Sequence, residues 1–436
     1  MLKINFPITK KISTAILCIL SLACVCGAQE QSPRGTSSSS KTNSTSALAL
    51  SSMRSANRFG FDLTAPLKIC RTLQNVGGAF IASDNVNTKK DDDNLFLYFT
   101  NDESDFKLEN TDKKDARRIW VVELGGKMVS GLLLADENLF LIVKSGDKYV
   151  LKSLSRLTGV TNWQSTPFSI SSRFEGEPTE EFFLHAYRST VIVVGRSGEI
   201  YSFGKNDGRE RWNVLLEKNL TATPAFGDNL VAVGLTDGKL KIVSLNDGVE
   251  LKRFESVDAA KASGTLAVSI VSAVIFQTAG RIIYGDNRGF LTAVDLESGK
   301  TFWKMRSAAA AITGIERAPK GLLISSLDNF IYFVSYDKGR RLWKRRLAGR
   351  VVYRPLILDR YAVVINSFAP RADIIELLSG KTVNQIDFDE ENYFIGDIVF
   401  GGSLLAFQTA RGLTVFHADG VCSTITITTT SITAAL

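Results

Sequence analysis

Histidine is almost missing from this chain: two residues, His185 and His417, among 436. They lie far apart, each in a strand-like run. A lone imidazole in such a run is a structural residue rather than a base or a metal ligand. Cysteine is nearly as scarce. Of five, Cys18, Cys24 and Cys26 sit in an apolar N-terminal run, leaving Cys70 and Cys422 at opposite ends of the remainder. No Cys-x-x-Cys-His, His-Glu-x-x-His, Gly-x-Ser-x-Gly or phosphate-cradling loop occurs. Haem attachment, zincin chemistry and serine hydrolysis therefore have no support in the sequence. Past the leader, no apolar stripe of period 3.6 reaches helix length, which excludes helical repeats. Acid clusters at residues 91–93 and at Glu177, Glu180 and Glu181 fall in loop-like, solvated stretches. The net charge of +7 drops to +4 once Lys3, Lys10 and Lys11 of the leader are set aside. That mild excess suits an acidic protein or anionic lipid heads, and nothing in its distribution points to nucleic acid.

What is present begins with a leader. Residues 1–28 have a basic start, an apolar run over 12–26 and a small-residue end, and read as a secretory signal peptide. Two processing routes are open. One cuts before Gln29. The other uses Leu22-Ala23-Cys24 as a relaxed lipobox, with Ser21 where leucine is usual, and makes Cys24 the lipidated first residue. Residues 29–60 are rich in Ser and Thr, cannot bury a core, and read as a flexible tether.

The rest is a repeat. Each of the five tryptophans stands four residues after a turn position: Trp120 after Ala116, Trp163 after Gly159, Trp212 after Gly208, Trp303 after Gly299, and Trp343 after Gly339. Gly248, Gly380 and Gly420 mark three further copies without the Trp. The anchors recur 40 to 51 residues apart, with short β-branched and aromatic runs between turns such as Asp237-Gly238 and Asn246-Asp247-Gly248. A period near 40 with strand–turn–strand units predicts a β-propeller. A Trp on each outer strand would fill the gap where neighbouring blades splay apart, so the set is structural first.

The expected fold is all-β: an eight-bladed β-propeller of four-stranded antiparallel blades over residues 61–421, with a tail at 422–436. First strands should begin near Gly78, Met128, Phe183, Ala222, Val271, Thr313, Tyr353 and Asp397. The last unit has three clear strands. Residues 66–73 can supply the fourth and close the ring, and residues 424–430 compete for the same place. Closure by the N-terminal strand would bring Cys70 near Cys422, as a disulfide or as two separate buried thiols.

The unit Asp295-Leu-Glu-Ser-Gly299-Lys-Thr-Phe-Trp303 resembles the Asp-x-x-x-Gly-x-x-x-Trp docking repeat of the quinoprotein-like, PQQ-like-repeat propellers. Within them the chain is most similar to the BamB-type lipoproteins of the outer-membrane β-barrel assembly machine. Thr223-Pro224-Ala225-Phe226-Gly227 and the lipidation candidate Cys24 add to that likeness. The resemblance implies a non-enzymatic scaffold without cofactor or metal. It would be exported to the periplasm or anchored by lipid to the periplasmic face of the outer membrane, as a monomer within a hetero-complex. Its partners would be the barrel-assembly complex and unfolded barrel substrates, the latter received at blade edges by β-augmentation.

The family's Leu-x-Leu-Arg contact segment matches Val214-Leu215-Leu216-Glu217-Lys218, with Glu217 in the basic slot. Its acidic pair before blade five is reduced to Glu255 and Asp258 in the connection over residues 256–263. One charge run is unexplained by the repeat, over residues 338–350. Strand alternation would send Arg341, Trp343 and Arg345 to one face, and Arg340, Leu342, Lys344 and Arg346 to the other. The alternative is a pyrroloquinoline-quinone-dependent dehydrogenase-like or ligand-binding propeller. Against it, no adjacent Cys pair exists. An adhesion or sensing module is a third reading.

Overall fold

The computed structural model describes residues 63–65, 67, 70–73, 76–81, 94–102, 105–112, 117–170, 180–255, 270–278, 280–367, 369–401 and 404–417. These form eight antiparallel sheets. Seven blades run in simple chain order, as in Val271–Thr278, Arg281–Asp286, Phe290–Asp295 and Thr301–Arg306 of blade 5. Blade 8 is composite. Phe394–Gly401, Leu404–Thr409 and Gly412–His417 give three strands, and Arg71–Leu73 supplies the fourth. Arg71 pairs with Val415, Thr72 with Thr414 and Leu73 with Leu413, so the N-terminal strand closes the ring. Cys24, Asp258, Gly420, Cys422 and residues 424–430 lie outside the described residues.

Burial explains why each run became the strand it did. The second and third strands are covered on both faces by neighbouring blades and are buried along almost their whole length, as in Tyr361–Asn366 and Leu404–Thr409. Outer strands alternate between exposed and half-buried positions. First strands start within a few residues of the expected places. In blade 4 the first strand is only Ala225–Phe226, because Pro224 has no N–H to give the ladder. In blade 2 it is split into Lys127–Met128 and Leu133–Ala135, and the Ser130 Oγ accepts the Ile142 amide across the break at 2.9 Å.

Blades are fastened by one recurring contact. The turn glycines before the outer strands of blades 2, 3, 4, 6 and 7 have positive φ and press on the Trp of the preceding blade. A Cβ on Gly159, Gly208, Gly248, Gly339 or Gly380 would come within 2.3–2.8 Å of the ring of Trp120, Trp163, Trp212, Trp303 or Trp343 respectively. Only glycine meets both demands. Trp120, Trp163, Trp303 and Trp343 also donate their indole N–H to the carbonyls of Arg156, Lys205, Tyr336 and Leu377, each three residues before the docked glycine. Blade 4 has no Trp. There Lys252 fills the slot and donates to the Glu297 carbonyl at 2.8 Å, while Phe254 lies 3.9 Å from where a Gly299 Cβ would be.

The outer strands of blades 1 to 7 all carry a β-bulge just before the Trp slot, at Ile119, Asn162, Arg211, Leu251, Phe302, Leu342 and Val383. A bulge twists an edge and breaks its ladder, which blunts it against strand addition. The blade edges are thereby poorly suited to the β-augmentation expected from the sequence.

The seam copies the docking logic with different residues. Asn384, in the Trp slot of blade 7, donates to the Ala65 carbonyl at 2.6 Å. Leu63 is buried with Ile386, Phe388 and Phe416 between blades 7 and 8. The Cys70 amide donates to the Val415 carbonyl at 2.9 Å, and Cys70 is disulfide-bonded.

Two measurements check this account. Gly208→Ala combines φ strain with a clash on Trp163 and should cost about 2–4 kcal/mol. Gly299→Ala meets open space and should cost only about 1 kcal/mol for its backbone. Urea midpoints of the two variants should differ accordingly. Reducing the disulfide, or Cys70→Ser, should lower stability by about 2–4 kcal/mol. Non-reducing peptide mapping should recover Cys70 linked to Cys422.

Candidate functional site

Strand direction gives the ring two distinct ends. Connections between blades, and the turns between second and third strands, lie at one end. The glycine turns that dock on Trp lie at the other. The segment running from Leu215 to Leu220 joins blades 3 and 4 at the connection end. Its backbone is pinned: the Leu216 amide donates to the Gly198 carbonyl at 2.8 Å and the Leu220 amide to the Arg196 carbonyl at 2.8 Å. Gly198, at φ +98, lets the Lys218 carbonyl approach to where a Cβ would stand 2.7 Å away.

The two leucines part company here. Leu215 is 41% exposed, whereas Leu216 is 3% exposed and packs with Ile200, Val231 and Val233. Leu216 occupies a repeat position. Leu124, Ser307, Leu347 and Phe388 are likewise buried just past their outer strands, and each donates its amide to a carbonyl in or just past the turn between second and third strands. Of the segment, Leu215, Glu217 and Lys218 are displayed to solvent. The structure therefore removes Leu216 from the contact surface and leaves Leu215 and Lys218 on it.

On blade 6 the bulge at Leu342 alters the expected alternation. Trp343 and Arg345 are half-buried on the side facing blade 7, while Arg341, Leu342, Lys344 and Arg346 are exposed. Arg341 therefore does not share a face with Trp343 and Arg345, because the extra residue reverses the side-chain order. The Arg345 Nε is buried without a hydrogen-bond partner. The acids read as solvated are engaged where described. Glu180 pairs with Lys144 and accepts from the Tyr149 hydroxyl at 3.2 Å, and Glu181 pairs with Arg196. Burial, with the Glu180 charge behind it, pushes the Tyr149 hydroxyl up to about 12.

First strands of blades 3 to 7 line a central cavity of about 740 Å³. Across its wall, Arg354 holds Glu316 through two hydrogen bonds of 2.7 and 3.1 Å. His185 stacks on Phe226 at 4.4 Å between ring centres, and burial lowers its pKa. Among the described residues no group of three His, Cys, Asp or Glu side chains is placed to hold a metal ion. No described helix is long and apolar enough to cross a membrane.

A family model described as outer membrane protein assembly factor BamB matches residues 150–314 and 287–389. Together these segments span more than half of the chain. The chain belongs to the BamB family. A BamB from Yersinia pestis is 26% identical over 216 residues, 46% of this chain and 53% of that protein. The chain thus spans about half the length of that relative. A BamB from Burkholderia pseudomallei is 23% identical over 334 residues, 71% of this chain and 79% of that protein. The crystal structure of BamB from Moraxella catarrhalis shares the fold with a TM-score of 0.58 at 15% identity, covering 79% of this chain and all of that one. A computationally designed protein, Ika8, does so equally well, with a TM-score of 0.57 at 14% identity over 79% of this chain and 96% of its own. The propeller fold is therefore shared beyond the BamB family.

One ring of contacts escaped the sequence reading. Thr221 donates to the Val271 carbonyl, Ser272 to the Ile312 carbonyl and Thr313 to the Val351 carbonyl, at 2.6–2.7 Å. Each hydroxyl follows an apolar residue at the mouth of its blade. The recurring signal is the pair Leu220-Thr221, Val271-Ser272 and Ile312-Thr313, which is short and easily lost beside the Trp motif.

His185 supplies a pH test. Its folded form disfavours the proton that the unfolded chain takes up below an ordinary histidine pKa of about 6.5. Stability should therefore fall as pH drops through that value, since the unfolded state then binds more protons. His185→Phe should lose this component. Melting curves at neutral and mildly acidic pH should show the wild type losing more than the variant.

Proposed function

We propose that the chain acts as an outer-membrane protein assembly factor of the BamB kind: a non-enzymatic, exported scaffold that binds a barrel-assembly partner. The observation that carries the reading is the pinned connection between blades 3 and 4. It holds Leu215 and Lys218 out to solvent on a backbone fixed by two hydrogen bonds to the Arg196–Gly198 turn. An apolar side chain beside a cation, on a backbone already ordered, suits partner recognition because little ordering entropy is lost on binding. Family membership supports the same reading. The propeller would be held at the periplasmic face of the outer membrane, through Cys24 or through its partner alone, and would help unfolded barrel chains reach the assembly site.

A photo-crosslinker at position 215 should trap the barrel-assembly protein. The same probe at Val249, exposed on a docking turn at the other end of the ring, should not. The pair Leu215→Asp with Lys218→Glu should reduce partner recovery about tenfold, equivalent to about 1.4 kcal/mol. Equal crosslinking from both ends, or undiminished recovery, would remove this segment from the interface.

A further inference from the structure

The outer strands differ from blade to blade in how they treat their cations. On blade 1, Arg118 pairs with Glu109 at 2.9 Å; on blade 3, Arg211 with Asp207 at 2.8 Å; on blade 4, Arg253 with Glu250 at 2.7 Å. On blade 7, Arg371 pairs with Asp387 of the outer strand at 2.5 Å. Blades 5 and 6 break this habit. Their outer strands, Thr301–Arg306 and Arg341–Arg346, contain no acid at all. Arg306, Lys338, Arg340, Arg341 and Arg346 form no ion pair among the described residues. Lys344 instead lies 5.1 Å from the ring centre of Phe330.

Two further facts give this wall its character. The bulges of these strands push Phe302 and Leu342 outward, 49% and 46% exposed. The glycine turn of blade 6 is docked on Trp303 of blade 5, which brings Lys338 and Arg340, the neighbours of Gly339, to the blade 5 side. The docking turns of the two blades carry three acids, Asp295, Glu297 and Asp337, fewer than the cations, so the balance is positive.

We infer that the outer wall of blades 5 and 6 docks on an anionic membrane surface. Arg306, Lys338, Arg340, Arg341 and Arg346, without ion pairs among the described residues, with the half-exposed Leu342 projecting among them, match lipid headgroups above an acyl boundary. A folded acidic partner would instead be met by a concave or closely complementary patch. This wall is separate from the connection between blades 3 and 4, so the inference stands independently of the partner contact there.

The test is co-sedimentation of the mature, non-lipidated chain beginning at Gln29 with phosphatidylglycerol-containing vesicles and with phosphatidylcholine vesicles. Binding is expected to the anionic vesicles alone and to vanish at about 1 M salt, where the Debye length is about 3 Å. The variant R340Q/R341Q/K344Q/R346Q should bind at least about tenfold more weakly while melting like the wild type. Phe302→Ser should weaken binding less, without changing its salt dependence. A second variant, K338Q/R340Q, confined to the exposed turn, guards against a folding defect in the first. Equal binding to both vesicle types, or unchanged binding by both glutamine variants, would overturn the inference. So would binding of a polyglutamate peptide without any vesicle binding, which would assign the wall to an acidic protein.

Discussion

The structure depends on a glycine lying flat against a tryptophan. A propeller blade is a twisted sheet whose two faces must both be covered, and covering is hardest at the rim, where blades diverge. The Trp ring fills that space, its N–H takes a carbonyl of the next blade, and the glycine turn supplies a surface without a Cβ at positive φ. Each blade is thereby locked to its successor by the same geometry. Where the Trp is missing, other donors stand in. Lys252 reaches the Glu297 carbonyl and Asn384 reaches the Ala65 carbonyl. The hydrogen bond to the next blade is retained even when the ring is not.

That constraint also governs the seam. A ring built from one chain needs its last blade completed by distant sequence. Arg71–Leu73 does so by pairing with Gly412–His417. The residues before it, Leu63 to Ala65, take over the part that a docking turn plays elsewhere, and Leu63 supplies the apolar plug. Leu63 to Ala65 therefore lie at the docking-turn end of the ring, opposite the connection that displays Leu215.

Much of the fold was legible because it is periodic. Residues that repeat every 40 or so positions announce a unit, and the count of anchors gives eight blades. The three strands of the last unit leave a vacancy that the N-terminal strand was positioned to fill. Local irregularity was not legible. The bulge at Leu342 moves Arg341 off the face of Trp343, because one extra residue reverses a two-residue alternation. The burial of Leu216 was hidden because its equivalents are Leu124, Ser307, Leu347 and Phe388, which share a place in space but no residue type. The Thr221, Ser272 and Thr313 ring was missed since a hydroxyl at a strand start has many uses. For the candidate surfaces, sequence showed which residues were unusual. Only the structure showed which were displayed, and that among the described residues the outer-strand cations Arg341 and Arg346 of blade 6 form no ion pair, unlike those of blades 1, 3 and 4.

The ring holds surfaces in fixed relation, and a designed protein shares its shape. Function must come from what those surfaces meet. The most direct measurement is purification of the full chain from detergent-solubilised native envelopes, with identification of what accompanies it. The account predicts recovery in stoichiometric association with the outer-membrane barrel-assembly complex. Recovery of the chain alone, together with tight binding of pyrroloquinoline quinone and calcium in the central cavity, would contradict it.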